Sequence, residues 1–184
     1  TSPLKHQLSA AAVKCVDNAM DIRSVNTLRW DGISWWAASS DGPGMCMVAN
    51  AFGYDFENVL GITGGGGTAR SVAAAWSANG GKVKQVGGKR LLDDEGPWNL
   101  CDEEPKFSIN FDDDGGDLSV RYQKMEGDFE FRIDYLSKNA DGRWLLCAQH
   151  LHSWANLWAP KYSEHLPSLS LLLTRLVAVE VQLE

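Results

Sequence analysis

Hydrophobic and polar residues alternate over much of the stretch from Phe107 to His152. The alternation is clearest over residues 107–111, 118–122 and 129–135, where every second side chain is apolar. This period of two is typical of antiparallel strands with one buried and one exposed face. The connecting residues 113–116 and 139–142 are rich in Asp, Asn and Gly, which favour turns. The pattern therefore predicts an antiparallel β-meander over residues 107–152.

The two ends of the chain show different patterns. Apolar residues recur every fourth position between Ser2 and Ile22, which predicts one amphipathic helix with Ser2 as N-cap and Pro3 in its first turn. Near the other end, alternate positions are apolar and predict a strand over about 177–183, formed by Val177, Val179, Val181 and Leu183. A strand edge this hydrophobic has to be paired, within a barrel or with another chain.

These elements predict a single α+β domain over residues 1–184. An N-terminal amphipathic helix would pack on a curved antiparallel β-sheet or on a β-barrel, and residues 153–184 could protrude as a C-terminal segment. The pattern does not separate a closed barrel from an open sheet. Either shape encloses an apolar cavity in which a ligand could bind.

A glycine-rich tract at residues 64–67 allows two interpretations. Residues 64–69 fit G-x-G-x-x-A, a dinucleotide-binding turn that works between a strand and a helix of a parallel βαβ unit. The neighbouring segments favour antiparallel strands instead, with a hairpin across residues 79–81. A flexible hairpin loop is therefore the preferred interpretation, and a nucleotide-binding protein is kept as a separate hypothesis.

Composition excludes some partners and leaves the compartment open. The net charge of −7 argues against nucleic acid as the main partner, and no apolar run approaches the length of a transmembrane helix. The first residue is Thr1 and not Met, which indicates a processed or trimmed product, and an organellar or secreted protein is one origin. Four cysteines without a C-x-x-C pair form either two disulfides or free thiols: Cys15, Cys46, Cys101 and Cys147.

Candidate ligand-binding residues come from the aromatic and histidine content. Eight tryptophans are unusual for this length, and tryptophan suits half-hydrated cavities. We predict a ligand site formed by Trp35, Trp144, His150 and His152, with Asp134 as an added carboxylate. A His-x-His pair needs a third ligand to hold a metal, so no metal site is predicted. The acidic run 112–117 is either a weak cation site or a solvated turn.

No motif specifies a reaction or a cofactor, so no catalytic residue is predicted. The first hypothesis for function is a non-catalytic binding or assembly module, a subunit of a larger complex that contacts other protein subunits through residues 177–183. The alternative is a β-barrel that binds an apolar or aromatic small molecule, or a small cavity enzyme that uses His150 and His152.

Overall fold

The computed structural model of the chain describes residues 5–12, 14–113 and 115–184. Its first part is a small mixed sheet beside helix α1 (Lys5–Ala11). The strands are β1 (Lys14–Cys15), β2 (Thr27–Trp30) and β3 (Trp35–Ala38) in the order β1-β3-β2. Strand β2 is antiparallel to β3, and β1 is parallel to it.

A second, parallel sheet follows helix α2 (Asp41–Ala51). Strand β4 (Leu60–Thr63) leads through helix α3 (Gly67–Ala78) to β5 (Val83–Gly87), and β6 (Phe107–Asn110) comes later. The order is β5-β4-β6, and both pairings are parallel. Four further helical segments complete the chain: α4 (Phe129–Lys138), α5 (Gly142–Ser153) with a π-helical extension (Trp154–Trp158), a 3₁₀ segment (Pro160–His165) and α6 (Leu169–Leu183).

Isolated bridges extend the parallel sheet on both sides. Val83 pairs with Leu100, Ile109 with Leu118, and Leu118 with Ala140, and all three bridges are parallel. The spatial order is therefore residue 100, β5, β4, β6, residue 118 and residue 140. This is the strand order of a doubly wound α/β sheet. Successive strands are first added on one side of β4 and then on its other side, and all of them stay parallel. A crevice opens beyond the carboxyl ends of β4 and β6, where such sheets bind ligands.

The main core lies between this sheet and its helices. Leu60 and Ile62 of β4 are fully buried, as expected for a central parallel strand. Trp76 of α3 packs edge-on against Phe107 with ring centroids 5.3 Å apart, and Tyr54 stacks on Phe107 at 4.2 Å. This packing fixes α3 against the sheet and so fixes the turn that precedes it.

The predicted meander and barrel are wrong. Of the described residues between 107 and 152, only Phe107–Asn110 form a strand, and most of the second half is helical in α4 and α5. In α4 the side chain of Asp128 accepts a hydrogen bond from the amide of Phe131 and caps the helix. The buried positions are Arg132 and Leu136, four residues apart, so helical spacing determines burial there.

The predicted end elements also need correction. Residues 177–183 belong to helix α6, which Ser168 caps by accepting from the Leu171 amide, and its buried residues Leu173 and Val177 are again four apart. The N-terminal helix ends at Ala11 and not at Ile22, while Ser2 and Pro3 lie outside the described residues. Residues 79–81 join α3 to a strand parallel to β4, so no hairpin forms there.

In the described part of the chain, no helix has the length and hydrophobicity needed to cross a membrane, which confirms that prediction.

The four cysteines are free thiols with unequal surroundings. Burial raises the pKa of Cys46 to about 12 and the pKa of Cys147 to about 11. Because the thiolate is the nucleophile, both should stay unmodified when the folded protein meets iodoacetamide at about pH 8. Partly exposed Cys101 serves as the matched control and should be alkylated, as read by peptide mass spectrometry. Rapid modification of Cys46 would contradict this burial.

Candidate functional site

A buried carboxylate marks the centre of the candidate site. Asp41 is the first residue of α2, where the helix dipole favours a negative charge, and its side chain is 4% exposed. Oδ1 accepts a hydrogen bond from the side-chain amide of Asn26 at 2.8 Å and another from the side-chain amide of Gln149 at 2.5 Å. Oδ2 forms an ion pair with Lys5, whose side chain is 14% exposed. Three separate segments therefore hold one carboxylate in a fixed orientation.

Lys5 connects this carboxylate to the parallel sheet. Its Nζ also donates to the hydroxyl of Thr68 at 2.8 Å, and Thr68 lies in the first turn of α3. The N-terminal ends of α2 and α3 thus converge on one ammonium group. The side chain of Lys5 lines two neighbouring cavities and forms part of the wall between them.

The turn between β4 and α3 is built for a close backbone approach. Gly64 has φ +103, which favours glycine, and Gly66 precedes α3 without a side chain to cap it. The first amides of a helix have no intrahelical partner, so they are available to an anion. A Cβ at Gly66 would meet no atom within 4 Å, so this part of the turn is open.

The cavity at this turn has a volume of about 560 Å³, a usual size for a ligand site. Its cationic side chains are Lys5, Arg23, Arg70 and Arg90. Arg70 donates to the carbonyls of Ile22, Arg23 and Gly65, which ties the glycine-rich turn to residues 22–23. Arg23 has φ +52, a left-handed conformation uncommon for a residue with a side chain. Burial lowers the pKa of Arg70.

A second cavity, of about 680 Å³, continues from Lys5 and Asp41 on the other side. It is lined by polar side chains, with the ring of Trp158 at one wall: Asn26, Thr27, Ser40, Gln149, His150 and Ser153. The two cavities share Lys5, Asp41, Thr68, Leu146 and Gln149. The arrangement is one cleft with a cationic arm at the glycine-rich turn and a polar arm at Asn26.

The residues of the cationic arm fit a dinucleotide. The parallel β4-α3-β5 unit with its glycine-rich turn supplies the setting that such a cofactor needs, and the open first turn of α3 faces a cleft lined with arginine. Within the described residues, no cluster of His, Cys, Asp or Glu side chains could hold a metal ion.

The two predicted histidines lie in different surroundings. His150 lines the polar arm of the cleft, beside Gln149. His152 is partly buried, its ring lies 3.2 Å from the amide of Asn156, and burial lowers its pKa. The histidines stand on helix α5, so a spacing of two sends their side chains in different directions.

The other predicted ligand residues lie away from the cleft. Trp35 pairs with Trp30 on the β2–β3 hairpin at 5.4 Å, half-exposed. Trp144 is buried and donates to the carbonyl of Leu136. Asp134 forms a surface ion pair with Lys138 at 2.7 Å. On α6, Val177 is buried and Val181 half-buried, whereas Val179 and Leu183 are exposed.

The described carboxylates of the acidic run 112–117 bind backbone amides and a lysine of the protein. Asp112 accepts from the amide of Lys89 at 2.5 Å, and Asp117 accepts from the amide of Ser108 at 2.7 Å. Asp113 lies 3.5 Å from the ammonium of Lys89, while Asp114 is outside the described residues.

Sequence reasoning missed the residues that form the site: Lys5, Asn26, Asp41, Gln149 and Arg90. One local signal was present, because the G-x-G-x-x-A turn lies between an apolar strand and an alanine-rich segment followed by alternating residues. That is the context in which the turn binds dinucleotides. The other site residues are far apart in sequence and carry no motif.

Comparison with solved structures supports the parallel fold. Shikimate 5-dehydrogenase from Thermus thermophilus in complex with shikimate is 20% identical, with a TM-score of 0.69, over 97% of this chain and 77% of that one. The same enzyme in complex with NADP(H) and shikimate has a TM-score of 0.66 at 19% identity over 96% and 77%. Shikimate dehydrogenase 1 from Peptoclostridium difficile has a TM-score of 0.67 at 17% identity over 98% and 76%.

No protein-family model matches the chain, and no curated protein matches it in sequence. At these identities the structural likeness establishes the fold. The predicted non-catalytic assembly module is wrong, because the strand edge invoked for assembly belongs to helix α6. The predicted β-barrel carrier is wrong for the same structural reason, because neither sheet closes.

Proposed function

We propose that this chain is an oxidoreductase that uses NADP(H) to interconvert a hydroxyl and a keto group on a small hydroxy acid of the shikimate type. The observation that carries the proposal is the Lys5–Asp41 ion pair, which lies in the cleft between the glycine-rich turn and the polar arm. Related folds crystallised with shikimate and with NADP(H) support this choice of ligands.

Oxidation of a secondary alcohol removes a hydride from carbon and a proton from oxygen. NADP⁺ bound at the cationic arm would supply the hydride acceptor. The protein must therefore handle the proton, and Lys5 is placed to do so. In the reducing direction its ammonium donates a proton to the carbonyl oxygen, and in the oxidising direction the neutral amine takes the proton back.

Asp41 acts on this step through Lys5. Its carboxylate keeps the ammonium in one position, and the low exposure of both side chains keeps water from competing for the proton. Asn26 and Gln149 fix the carboxylate by donating to the same oxygen. Asn26 is itself held, because its own oxygen accepts from the amide of Ser40 at 3.0 Å. The proton-transfer group is thus preorganised before substrate binds.

The end of β5 favours the phosphorylated cofactor. In doubly wound folds, a carboxylate after the second strand binds the ribose hydroxyls of NAD, whereas an arginine accommodates the 2′-phosphate of NADP. Here β5 is followed by Gly88, Lys89 and Arg90, and Arg90 lines the cleft. We therefore assign the 2′-phosphate to Arg90.

Two measurements test this function together. Titration with NADPH, followed by its fluorescence, should show saturable binding that is at least about tenfold tighter than binding of NADH. Incubation with NADP⁺ and shikimate should then produce NADPH, read by its absorbance. Equal affinity for the two cofactors would contradict the assignment of the 2′-phosphate to Arg90. Absence of both binding and turnover at millimolar ligand would contradict the proposed function.

A further inference from the structure

The chain covers part of its own glycine-rich turn. The amide of Gly64 donates to the carbonyl of Gly87 at 2.8 Å, so this amide is occupied. A Cβ at Gly88 would clash with the nitrogen of Gly64, and a Cβ at Gly65 would clash with the carbonyl oxygen of Leu91. Residues 88–92, here named the covering segment, therefore contact the first half of the turn directly.

Asp112 holds the covering segment in this position. Its Oδ2 accepts a hydrogen bond from the backbone amide of Lys89 at 2.5 Å, and its Oδ1 faces Gly64, where a Cβ would lie 3.0 Å away. Its main chain is held too, because Arg121 donates to its carbonyl at 2.9 Å. A carboxylate thus lies between the glycine-rich turn and the amide of the covering segment.

The carboxylate of Asp112 lies beside the glycine-rich turn, where the pyrophosphate of a dinucleotide would bind. Backbone amides around a glycine-rich turn bind the pyrophosphate of a dinucleotide, and Asp112, beside this turn, already takes up one neighbouring amide, that of Lys89. Asp112 lines the same cavity as Arg70 and Arg90. A charge-assisted hydrogen bond from an amide is among the stronger ones, so breaking it opposes cofactor entry.

We propose that Asp112 sets the cofactor affinity of the cleft by holding the covering segment over the glycine-rich turn and competing with the dinucleotide pyrophosphate. The proposal rests on the proposed function. Asp112 is a positioning residue, since it acts through the amide of Lys89. Opening the segment would free the backbone amide of Lys89, whereas the amide of Gly64 stays paired with the carbonyl of Gly87 in β5.

The test is NADPH titration of the wild-type protein and of Asp112→Asn. The asparagine keeps the size of the side chain and removes its charge, so we expect the Kd for NADPH to fall about tenfold. Hydrogen exchange gives an independent readout, and the amide of Lys89 should exchange faster in the variant without cofactor. The matched control is Asp113→Asn, which removes the same charge from the same loop but only an exposed contact with the Lys89 side chain.

The outcomes separate this proposal from the function on which it rests. Tighter binding in Asp112→Asn alone, with faster exchange at Lys89, supports the proposal. Equal tightening in both variants points to general charge repulsion and overturns it. Normal binding by the wild type with an unchanged Asp112→Asn overturns the role of Asp112 and leaves the function standing. Absence of binding in all three proteins overturns both.

Discussion

Replacement of Lys5 by methionine is expected to lower kcat for shikimate oxidation by roughly 10²- to 10⁴-fold, the usual contribution of a positioned acid or base. Methionine keeps much of the length of the side chain and removes the amine. The KM for NADP⁺ should change little, because the first turn of α3 and the arginines remain. Steady-state kinetics with each substrate varied in turn would show this split between kcat and KM.

The matched control is Lys14→Met. Lys14 is also a lysine near the N-terminal end, but its ammonium lies over the ring of Trp36 at 4.8 Å, outside the cleft. This variant should keep wild-type kcat. A Lys5→Met protein that binds NADPH and retains full turnover would show that the proton leaves by another route, and Asp41 would then be the first candidate.

The sequence contained a signal for the parallel sheet, but alternating patterns in segments that form helices pointed to antiparallel strands instead. The glycine tract and its flanking apolar runs fit a βαβ unit, yet period-two patterns elsewhere favoured antiparallel strands. Over residues 129–135 that alternation is real, but Phe131 is 57% exposed, whereas Arg132 is buried and ion-paired with Glu184. A short apolar run is ambiguous between strand and helix, and capping residues resolve it.

Three caps that could have resolved the ambiguity are Asp128, Asp141 and Ser168. Each precedes a helix and accepts a backbone amide hydrogen bond within its first turn. The pair Asp141–Gly142 suggests a turn in the sequence because the same residue types favour turns and N-caps. Interpreted as N-caps, these residues would have predicted the three helix starts; interpreted as turn residues, they mark only a break in the chain.

The candidate site was harder to predict than the fold. Lys5, Asn26, Asp41 and Gln149 come from four different segments, and none belongs to a local motif. Only the fold brings them together, by placing the N-terminal ends of α2 and α3 beside α5. Prediction from sequence therefore stopped at the glycine-rich turn, where the function depends on backbone and spacing.

Replacement of Asp41 by asparagine is expected to lower the free energy of unfolding by about 3–5 kcal/mol, because it leaves the nearly buried ammonium of Lys5 without its counter-ion. The double variant Lys5→Met, Asp41→Asn removes both charges, so it should lose less stability than the sum of the single variants. It should remain inactive, since Lys5 is absent. Urea denaturation of the four proteins measures this coupling.

The surface pair Asp134–Lys138 provides the comparison that interprets this cycle. Both side chains are more than half exposed, and the pair is spaced i,i+4 on α4, so Asp134→Asn should change the free energy of unfolding by only about 0.5 kcal/mol. Strict additivity at Lys5 and Asp41 would mean that solvent screens their charges as it does on α4. The proton would then exchange freely with water, and an enclosed transfer from Lys5 to the substrate would no longer be tenable.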